Sequence, residues 1–222
     1  MNVTHKLAVL FDFDGVIVDS ETQYTVFWNE QGRKYHPEIA DFGLLIKGQT
    51  LTQIYERYFA HQEAVQRDIT AALDAFETRM SFDYIPGVET FLHELREQGI
   101  PSAIVTSSNN KKMANAYRAH PELQTSVDCI LTADHFTHSK PHPECFLMGA
   151  ETLGLAPAQC VVFEDSFHGL EAGNRAGMTV IGLATTNPAE RIAPWAKAVI
   201  PDFRGFTVEK MKEIMGNVQI NG

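Results

Sequence analysis

Two aspartates lie close together directly after a short apolar run near the start of the chain. The run at 7–11 leads into the motif Asp-Phe-Asp-Gly, whose carboxylates are Asp12 and Asp14. Two like charges at the end of a buried strand are costly unless a positive group compensates them. The pattern therefore indicates a cation site or carboxylate chemistry, and a turn capped by aspartate is the alternative. A calcium-binding EF-hand loop is excluded, because a strand precedes the motif and Gln23 stands at the twelfth position.

A second acidic pair, Glu164 and Asp165, follows another apolar run at 161–163. The carboxyl ends of parallel strands meet at one edge of a sheet, so both acidic pairs could share one hard cation. The four side chains offer only oxygen, which favours Mg²⁺. Taken alone, an acidic pair at the end of a strand is also typical of a helix N-cap.

A third candidate segment follows the apolar run at 103–105 and consists of Thr106, Ser107, Ser108 and Asn109. Hydroxyl and amide side chains at this position, with the N–H groups of the next helix, can hold phosphate oxygens. Such a cluster is equally typical of an ordinary N-cap. The segment becomes informative only in combination with the acidic pairs.

Lys140 stands in the segment Ser-Lys-Pro at 139–141, after the apolar run at 129–131. A lysine held in a loop that proline stiffens is a suitable point charge for a phosphate group. A surface lysine is the simplest alternative. The combination of hydroxyls, a lysine and paired carboxylates predicts phosphate chemistry assisted by a cation.

The apolar runs that precede these segments belong to a regular series. They alternate with segments that are mostly long enough for one helix, and they lie at 7–11, 103–105, 129–131, 161–163, 179–183 and 198–200. Short apolar strands alternating with helices predict an α/β fold, a doubly wound parallel sheet with helices on both faces.

One region interrupts this alternation and shows only helical periodicity. Capping boxes are predicted at Ser20 and Thr50, and a further helix at 62–80. We therefore expect an all-α cap at 19–82, inserted after the first strand into a catalytic core formed by 1–18 and 83–222. An insert at this point of an open α/β sheet lies near the edge where ligands bind.

Composition limits the possible partners. The chain has 222 residues and a formal net charge of −10, which argues against binding to nucleic acid or to an anionic membrane. Three widely spaced cysteines predict neither a disulfide framework nor a zinc ribbon. We expect a cytoplasmic, monomeric protein that acts on a small molecule.

The order and placement of these segments resemble the four motifs of the haloacid dehalogenase superfamily. The first motif corresponds to 12–15, the second to Thr106, the third to Lys140 and the fourth to 164–165. The segment 164–178 is similar to the β-phosphoglucomutase-like branch, whose members carry a helical cap in the same place as this insert.

The resemblance implies a role for each matching residue. Asp12 would be the nucleophile, and Asp14 the general acid that later acts as a base. Thr106 and Lys140 would bind phosphoryl oxygens. The implied Mg²⁺ ligands are Asp12, Asp14 (through its main-chain carbonyl), Glu164 and Asp165.

The resemblance also bears on the reaction. The dehalogenases proper lack an acid at the position that corresponds to Asp14. This chain is therefore expected to transfer a phosphoryl group from an ester. Tyr24 and Leu51 replace the histidine and arginine that the mutases carry in the cap. This difference favours a phosphatase for small phosphomonoesters, and sugar phosphates are the expected substrates. A β-phosphoglucomutase-type isomerase and a non-catalytic phosphate-binding protein are the alternatives. Lys47 and Gly48 of the cap loop are expected substrate contacts, as are the side chains at 107–109.

Overall fold

A computed structural model describes residues 7–47 and 49–216 of the chain. Within them lies a six-stranded parallel sheet in the order β3-β2-β1-β4-β5-β6. The strands are β1 (Ala8–Phe11), β2 (Ser102–Val105), β3 (Cys129–Leu131), β4 (Cys160–Glu164), β5 (Thr179–Leu183) and β6 (Ala198–Ile200). The predicted α/β fold class is confirmed, and all six predicted strands form.

Eleven α-helices lie within the same residues. They are α1 (Glu21–Tyr35), α2 (Phe42–Leu45), α3 (Leu51–Tyr58), α4 (Glu63–Glu77), α5 (Val88–Glu97), α6 (Asn110–Ala119), α7 (Leu123–Ser126), α8 (Glu144–Thr152), α9 (Phe167–Arg175), α10 (Ala189–Ile192) and α11 (Val208–Gly216). Single 3₁₀ turns occur at Ala133–His135, Pro157–Gln159 and Ala193–Trp195. In the described part of the chain no helix combines the length and the apolar character needed to cross a bilayer.

The chain divides into two compact units. Ser20–Phe82 forms the first, here called the helical unit, and it contains α1 to α4. The residues on either side of it form the second, here called the sheet unit, which contains the entire sheet.

The helical unit is built around aromatic side chains. Its buried cluster consists of Phe27, Trp28, Phe42, Ile46, Ile54, Phe59 and Ile69. Phe59 is fully buried, and its ring packs edge to face against Tyr35 and Tyr55. Contacts of this kind add to the energy of apolar burial, so the unit is stabilised chiefly by its own core.

The two predicted capping boxes have different outcomes. The box at Thr50 is confirmed: the Gln53 backbone N–H donates to the Thr50 hydroxyl at 3.3 Å, and the Thr50 N–H donates to the Gln53 side chain at 2.8 Å. The box at Ser20 is wrong. Ser20 has helical backbone angles, whereas an N-cap side chain reaches the first turn from an extended backbone, and its side chain does not cap α1.

The strand order of the sheet unit reverses between β1 and β4. From β1 the chain proceeds outwards through β2 to β3, and it then returns to the other side of β1 as β4. Where the order reverses, the loops after the two strands diverge and leave a crevice at their carboxyl ends. The two predicted acidic pairs follow these two strands.

Candidate active site

The register of β1 and β4 brings the two acidic segments together. Phe11 pairs with Phe163, and the Asp12 N–H donates to the Phe163 carbonyl at 3.0 Å. Carboxylate oxygens of Asp12, Glu164 and Asp165 lie within 4.8 Å of one another, and all three residues are buried. The topology of the sheet thus places together charges that lie more than a hundred residues apart in the sequence.

Lys140 lies at the centre of this acidic cluster. Its ammonium group donates to Asp12 Oδ1 at 2.6 Å, to Glu164 Oε1 at 2.8 Å and to the Val105 carbonyl at 3.3 Å. The lysine is 9% exposed, so the alternative of an ordinary surface lysine is excluded. A buried ammonium group with two carboxylate partners is both compensated and fixed in position.

The second oxygen of Glu164 organises the start of α9. Oε2 accepts hydrogen bonds from the backbone N–H groups of Asp165 at 2.8 Å and Ser166 at 2.9 Å, and from the Ser166 hydroxyl at 3.0 Å. Gly169 leaves room for the carboxylate, because a Cβ atom at Gly169 would lie only 1.6 Å from Glu164 Oε1. Gly169 was not among the predicted site residues, because its role depends on this tertiary contact.

The pKa values of Asp12 and Lys140 are both raised in this cluster. Burial raises the pKa of Asp12 to about 7, against the attraction of Lys140, and the charges of Glu164 and Asp14 add to the increase. Burial lowers the pKa of Lys140, but the carboxylates of Asp12 and Glu164 outweigh it and raise that pKa above its ordinary value. Lys140 therefore remains a cation in this cluster.

Asp14 lies at the edge of the cluster and receives two side-chain donors. The Lys112 ammonium group donates to Oδ1 at 2.5 Å, and the Ser108 hydroxyl donates to Oδ2 at 2.6 Å. Ser108 was a predicted site residue, whereas Lys112 was missed. In the sequence Lys112 follows Lys111, and the pair is typical of an exposed basic helix.

The remaining side chains of the loop after β2 have separate surroundings. Thr106 is buried, and its hydroxyl accepts a hydrogen bond from the Ser108 N–H at 2.9 Å. Ser107 is exposed. The Asn109 side chain accepts from the Lys112 N–H at 2.9 Å and caps α6, so the alternative N-cap interpretation also holds for this residue.

Asp165 is held against the loop that follows β5. Gly15 has a positive φ of 76°, and a Cβ atom there would lie 2.0 Å from Asp165 Oδ2, so only glycine fits. The Asn187 side chain donates to the Asp165 carbonyl at 3.0 Å, and the Thr185 hydroxyl donates to the Gly15 carbonyl at 2.6 Å. These contacts join the first and fourth motifs.

The same loop carries a buried polar atom without a protein partner. Within the described residues the Thr186 hydroxyl is buried and makes no hydrogen bond. It lies beside Gly15 on the side where Asp165 Oδ2 approaches. Buried hydroxyl groups are normally satisfied, so this one is suited to a water molecule or ligand at the acidic cluster.

The residues present fit a divalent cation. Four carboxylates (Asp12, Asp14, Glu164 and Asp165) and two ammonium groups (Lys112 and Lys140) leave two negative charges uncompensated when all are ionised. Burying such an excess is costly. Oxygen donors close together, with an unsatisfied hydroxyl beside them, match the ligand preferences of a hard divalent ion.

Two further substrate contacts were predicted, at Lys47 and Gly48. Lys47 is a half-buried residue of the helical unit, after α2. Gly48 lies outside the described residues. Both assignments remain predictions.

Comparisons with known proteins show the family to which the chain belongs. The family model described as haloacid dehalogenase-like hydrolase matches residues 9–183. Hexitol phosphatase A from Escherichia coli is 34% identical over 188 residues, covering 82% of this chain and 83% of the relative. Fructose-1-phosphate phosphatase YqaB from the same organism is 30% identical over 188 residues, covering 78% of this chain and 94% of the relative.

A solved structure shares the fold. A family IA, variant 3 haloacid dehalogenase hydrolase from Entamoeba histolytica superposes with a TM-score of 0.82 at 23% identity, and the alignment covers 95% of this chain and all of that one. The matched residues include Asp12, Asp14, Thr106, Lys140 and Asp165. The chain therefore belongs to the haloacid dehalogenase-like hydrolase family.

Proposed function

We propose that the protein is a Mg²⁺-dependent phosphatase that hydrolyses small phosphomonoesters through a phosphoryl group carried on Asp12. The observation that carries the proposal is the buried cluster of Asp12, Lys140, Glu164 and Asp165 at the point where the strand order reverses. A packed core does not require this costly arrangement of charge. A reaction that transfers a phosphoryl group does, because it depends on positioning and charge neutralisation.

The first step is attack on phosphorus. A carboxylate oxygen of Asp12 forms the new P–O bond as the bond to the leaving alcohol breaks. Lys140 orients Asp12 through its 2.6 Å contact and offers its positive charge to the phosphoryl oxygens. Asp14 gives a proton to the departing oxygen, so the leaving group departs as a neutral alcohol.

The second step regenerates the enzyme. A water molecule attacks phosphorus and Asp14 takes its proton, while the bond between phosphorus and Asp12 breaks and inorganic phosphate leaves. The Thr106 hydroxyl and the Lys140 ammonium group hold phosphoryl oxygens in both steps. Two successive displacements replace one difficult hydrolysis.

Mg²⁺ would be held by the carboxylates of Asp12, Glu164 and Asp165 with the main-chain carbonyl of Asp14, and when bound it would offset the negative charge of the phosphoryl group. The proposal rests on the two uncompensated charges and the oxygen-only donor set. The same charges repel a phosphate ester when no cation is present, so removal of the metal should weaken substrate binding as well as turnover.

The proposed substrate class is the phosphorylated sugars and sugar alcohols. Two relatives at 30% identity or more are named for a hexitol phosphate and for fructose 1-phosphate. Lys47 and Gly48 of the helical unit are the proposed contacts for the part of the substrate beyond the phosphate.

Two side chains of the helical unit favour hydrolysis over isomerisation. Tyr24, at the position where the mutases carry a histidine, donates its hydroxyl to Glu77 at 2.8 Å. Leu51, at the position of the mutase arginine, packs against the aromatic core of the unit. Neither provides the cation that a second phosphate group would require.

The test is a phosphate-release assay over a panel of sugar, sugar alcohol and aryl phosphates. Wild type is compared with Asp12→Asn and with the exposed control Asp68→Asn, each with Mg²⁺ and with EDTA. We expect release only from wild type and the control, and only with Mg²⁺. Isomerisation of glucose 1-phosphate without free phosphate would replace the proposal by a mutase. Inactivity of wild type in both assays would favour a binding protein.

The monomeric state and the cytoplasmic location also remain proposals. The proposed location rests on the three free cysteines, which suit a reducing compartment. Light scattering on the purified protein tests the monomeric state directly. A mass twice that of the chain would contradict it.

A further inference from the structure

We propose that Lys112 is a positioning residue for Asp14. Its buried ammonium group holds one carboxylate oxygen of Asp14 while the Ser108 hydroxyl holds the other, and so fixes the orientation from which Asp14 exchanges protons with the substrate and with water. The inference rests on the proposed function, because it assigns Lys112 a part in the same reaction.

The position of Lys112 is unfavourable for a lysine in three respects. It lies in the first turn of α6, where the helix dipole favours acidic residues and opposes a positive charge. It stands three residues after the N-cap Asn109, where a capping box would have Glu or Gln. The residue is also 6% exposed, although lysine is rarely buried without a partner.

Asp14 compensates these costs. The 2.5 Å contact joins residues 98 positions apart, and it links the start of α6 to the turn after β1. Residues that contradict local preferences are often found at functional sites, where a tertiary contact outweighs the preference. The contact with Asp14 therefore accounts for a buried lysine in the first turn of α6.

The contact acts on orientation. A carboxylate on a loop can rotate about two side-chain bonds, and each rotation moves the oxygen that must meet the leaving group. Lys112 in α6 and Ser108 in the loop before it each hold one oxygen of the carboxylate. Together they restrict both rotations. Proton transfer demands hydrogen-bond distance in the reacting complex, so a loss of this restriction lowers turnover and leaves phosphate binding intact.

A double-mutant cycle tests the inference. Kinetic constants for an aryl phosphate are measured for wild type, Lys112→Met, Asp14→Asn and the double variant, with Lys111→Met as the control from the exposed neighbouring position. We expect Lys112→Met to lower kcat about 10- to 100-fold, in the range found for supporting residues of active sites, with KM unchanged. In the Asp14→Asn background the same substitution should lower kcat less than about twofold, because the carboxylate that Lys112 orients is then absent. A twofold change is about the scatter with which the effects of independent substitutions add.

Three results would overturn the inference. Undiminished kcat in Lys112→Met excludes a role, a raised KM at unchanged kcat indicates direct phosphate binding, and full additivity in the double variant indicates general structural support. If Lys112→Met does not fold, judged by its circular dichroism, Ser108→Ala takes its place in the cycle and must show the same dependence on Asp14.

The proposed function is tested separately in the same experiment. Wild type without phosphatase activity, or with activity that survives Asp12→Asn, contradicts the proposed function itself. Activity that requires Asp12 and is indifferent to Lys112 contradicts only the inference about Lys112.

Discussion

The sheet unit and the helical unit differ in what they bury. Every charged residue that is buried in the described part of the chain lies in the sheet unit: Asp12, Lys112, Lys140, Glu164, Asp165 and Asp202. The helical unit buries aromatic and aliphatic side chains instead. Both units thus gain from burying apolar surface, and only the sheet unit also incurs the cost of desolvating charged side chains.

This difference indicates a division of labour. The proposed function assigns the chemistry to the charges buried at the carboxyl ends of β1 and β4, which the sheet holds in place. The helical unit has an independent apolar core, so its stability does not depend on the charged cluster. Substitutions in the charged cluster of the sheet unit should therefore act on turnover, and substitutions in the core of the helical unit on stability.

The largest effect is expected from Asp12→Asn. An amide is a poor nucleophile toward phosphorus, so kcat should fall on the order of 10⁴-fold or more, as when other enzymes lose a nucleophile. Steady-state phosphate release with Mg²⁺ measures it. Substantial residual activity in a preparation free of wild-type protein would count against the assignment of Asp12.

Asp14→Asn should follow, with a loss of about 10²- to 10⁴-fold in kcat, the usual contribution of general acid–base catalysis. The loss should be greater for alkyl phosphates than for aryl phosphates, whose leaving groups need less protonation. A comparison of kcat/KM across leaving groups checks this, because kcat/KM reports on the step in which the leaving group departs. Equal losses in kcat/KM for all substrates would remove Asp14 from the role of general acid.

Phe59→Ala tests the apolar core of the helical unit. Truncating a fully buried aromatic side chain in the helical unit should lower the free energy of unfolding by about 3–5 kcal/mol. Leu44→Ala is the control, because Leu44 is 57% exposed and its truncation should change stability by less than about 0.5 kcal/mol. Urea denaturation of both variants gives the two values, and equal values would contradict the assigned core.

Gly169→Ala brings stability and chemistry together in the sheet unit. The added methyl group would displace the Glu164 carboxylate, which lies 1.6 Å from the Cβ position. We expect a loss of about 1–3 kcal/mol in stability from overpacking and of about 10²-fold in kcat from misplacement of Glu164 and Lys140. Gly216→Ala, with no atom within 4 Å of its Cβ position, is the control, and identical behaviour of the two variants would refute the argument.

The smallest effect concerns the capping box of the helical unit. Thr50→Ala removes the side-chain acceptor for the Gln53 N–H and should cost about 1 kcal/mol in stability. Activity of the folded protein should be nearly unchanged. Thermal unfolding compared with the exposed control Thr52→Ala measures the difference, and no difference would mean that the cap contributes nothing in solution.

Much of the fold could be predicted from the sequence because its signals are local. The run at 179–183 has the length and composition of a buried strand, and Thr50 has the spacing of a capping box; both form in the structure. Parallel strands then place their ends at one edge, which made it possible to predict that Asp12 and Asp165 would meet. Ser20 has the same capping spacing but adopts helical backbone angles that the sequence does not reveal.

The missed residues depend on tertiary contacts. Lys112 resembles the exposed Lys111 beside it in sequence, and only the fold brings it to Asp14, 98 positions away. Gly169 looks like any helical glycine until Glu164 is placed against it. Thr186 has no local signal at all, since its significance lies in being buried beside the acidic cluster without a hydrogen bond.

The central claim is that Asp12 carries the phosphoryl group. The most direct test is to mix the Asp14→Asn variant with an aryl phosphate and Mg²⁺, quench in acid, and map the modified peptide by mass spectrometry. We predict one phosphoryl group per chain on Asp12, accumulating because Asp14 is needed to activate water, and none in the Asp12→Asn/Asp14→Asn variant. Turnover without modification, or a phosphoryl group on another residue, would contradict the account.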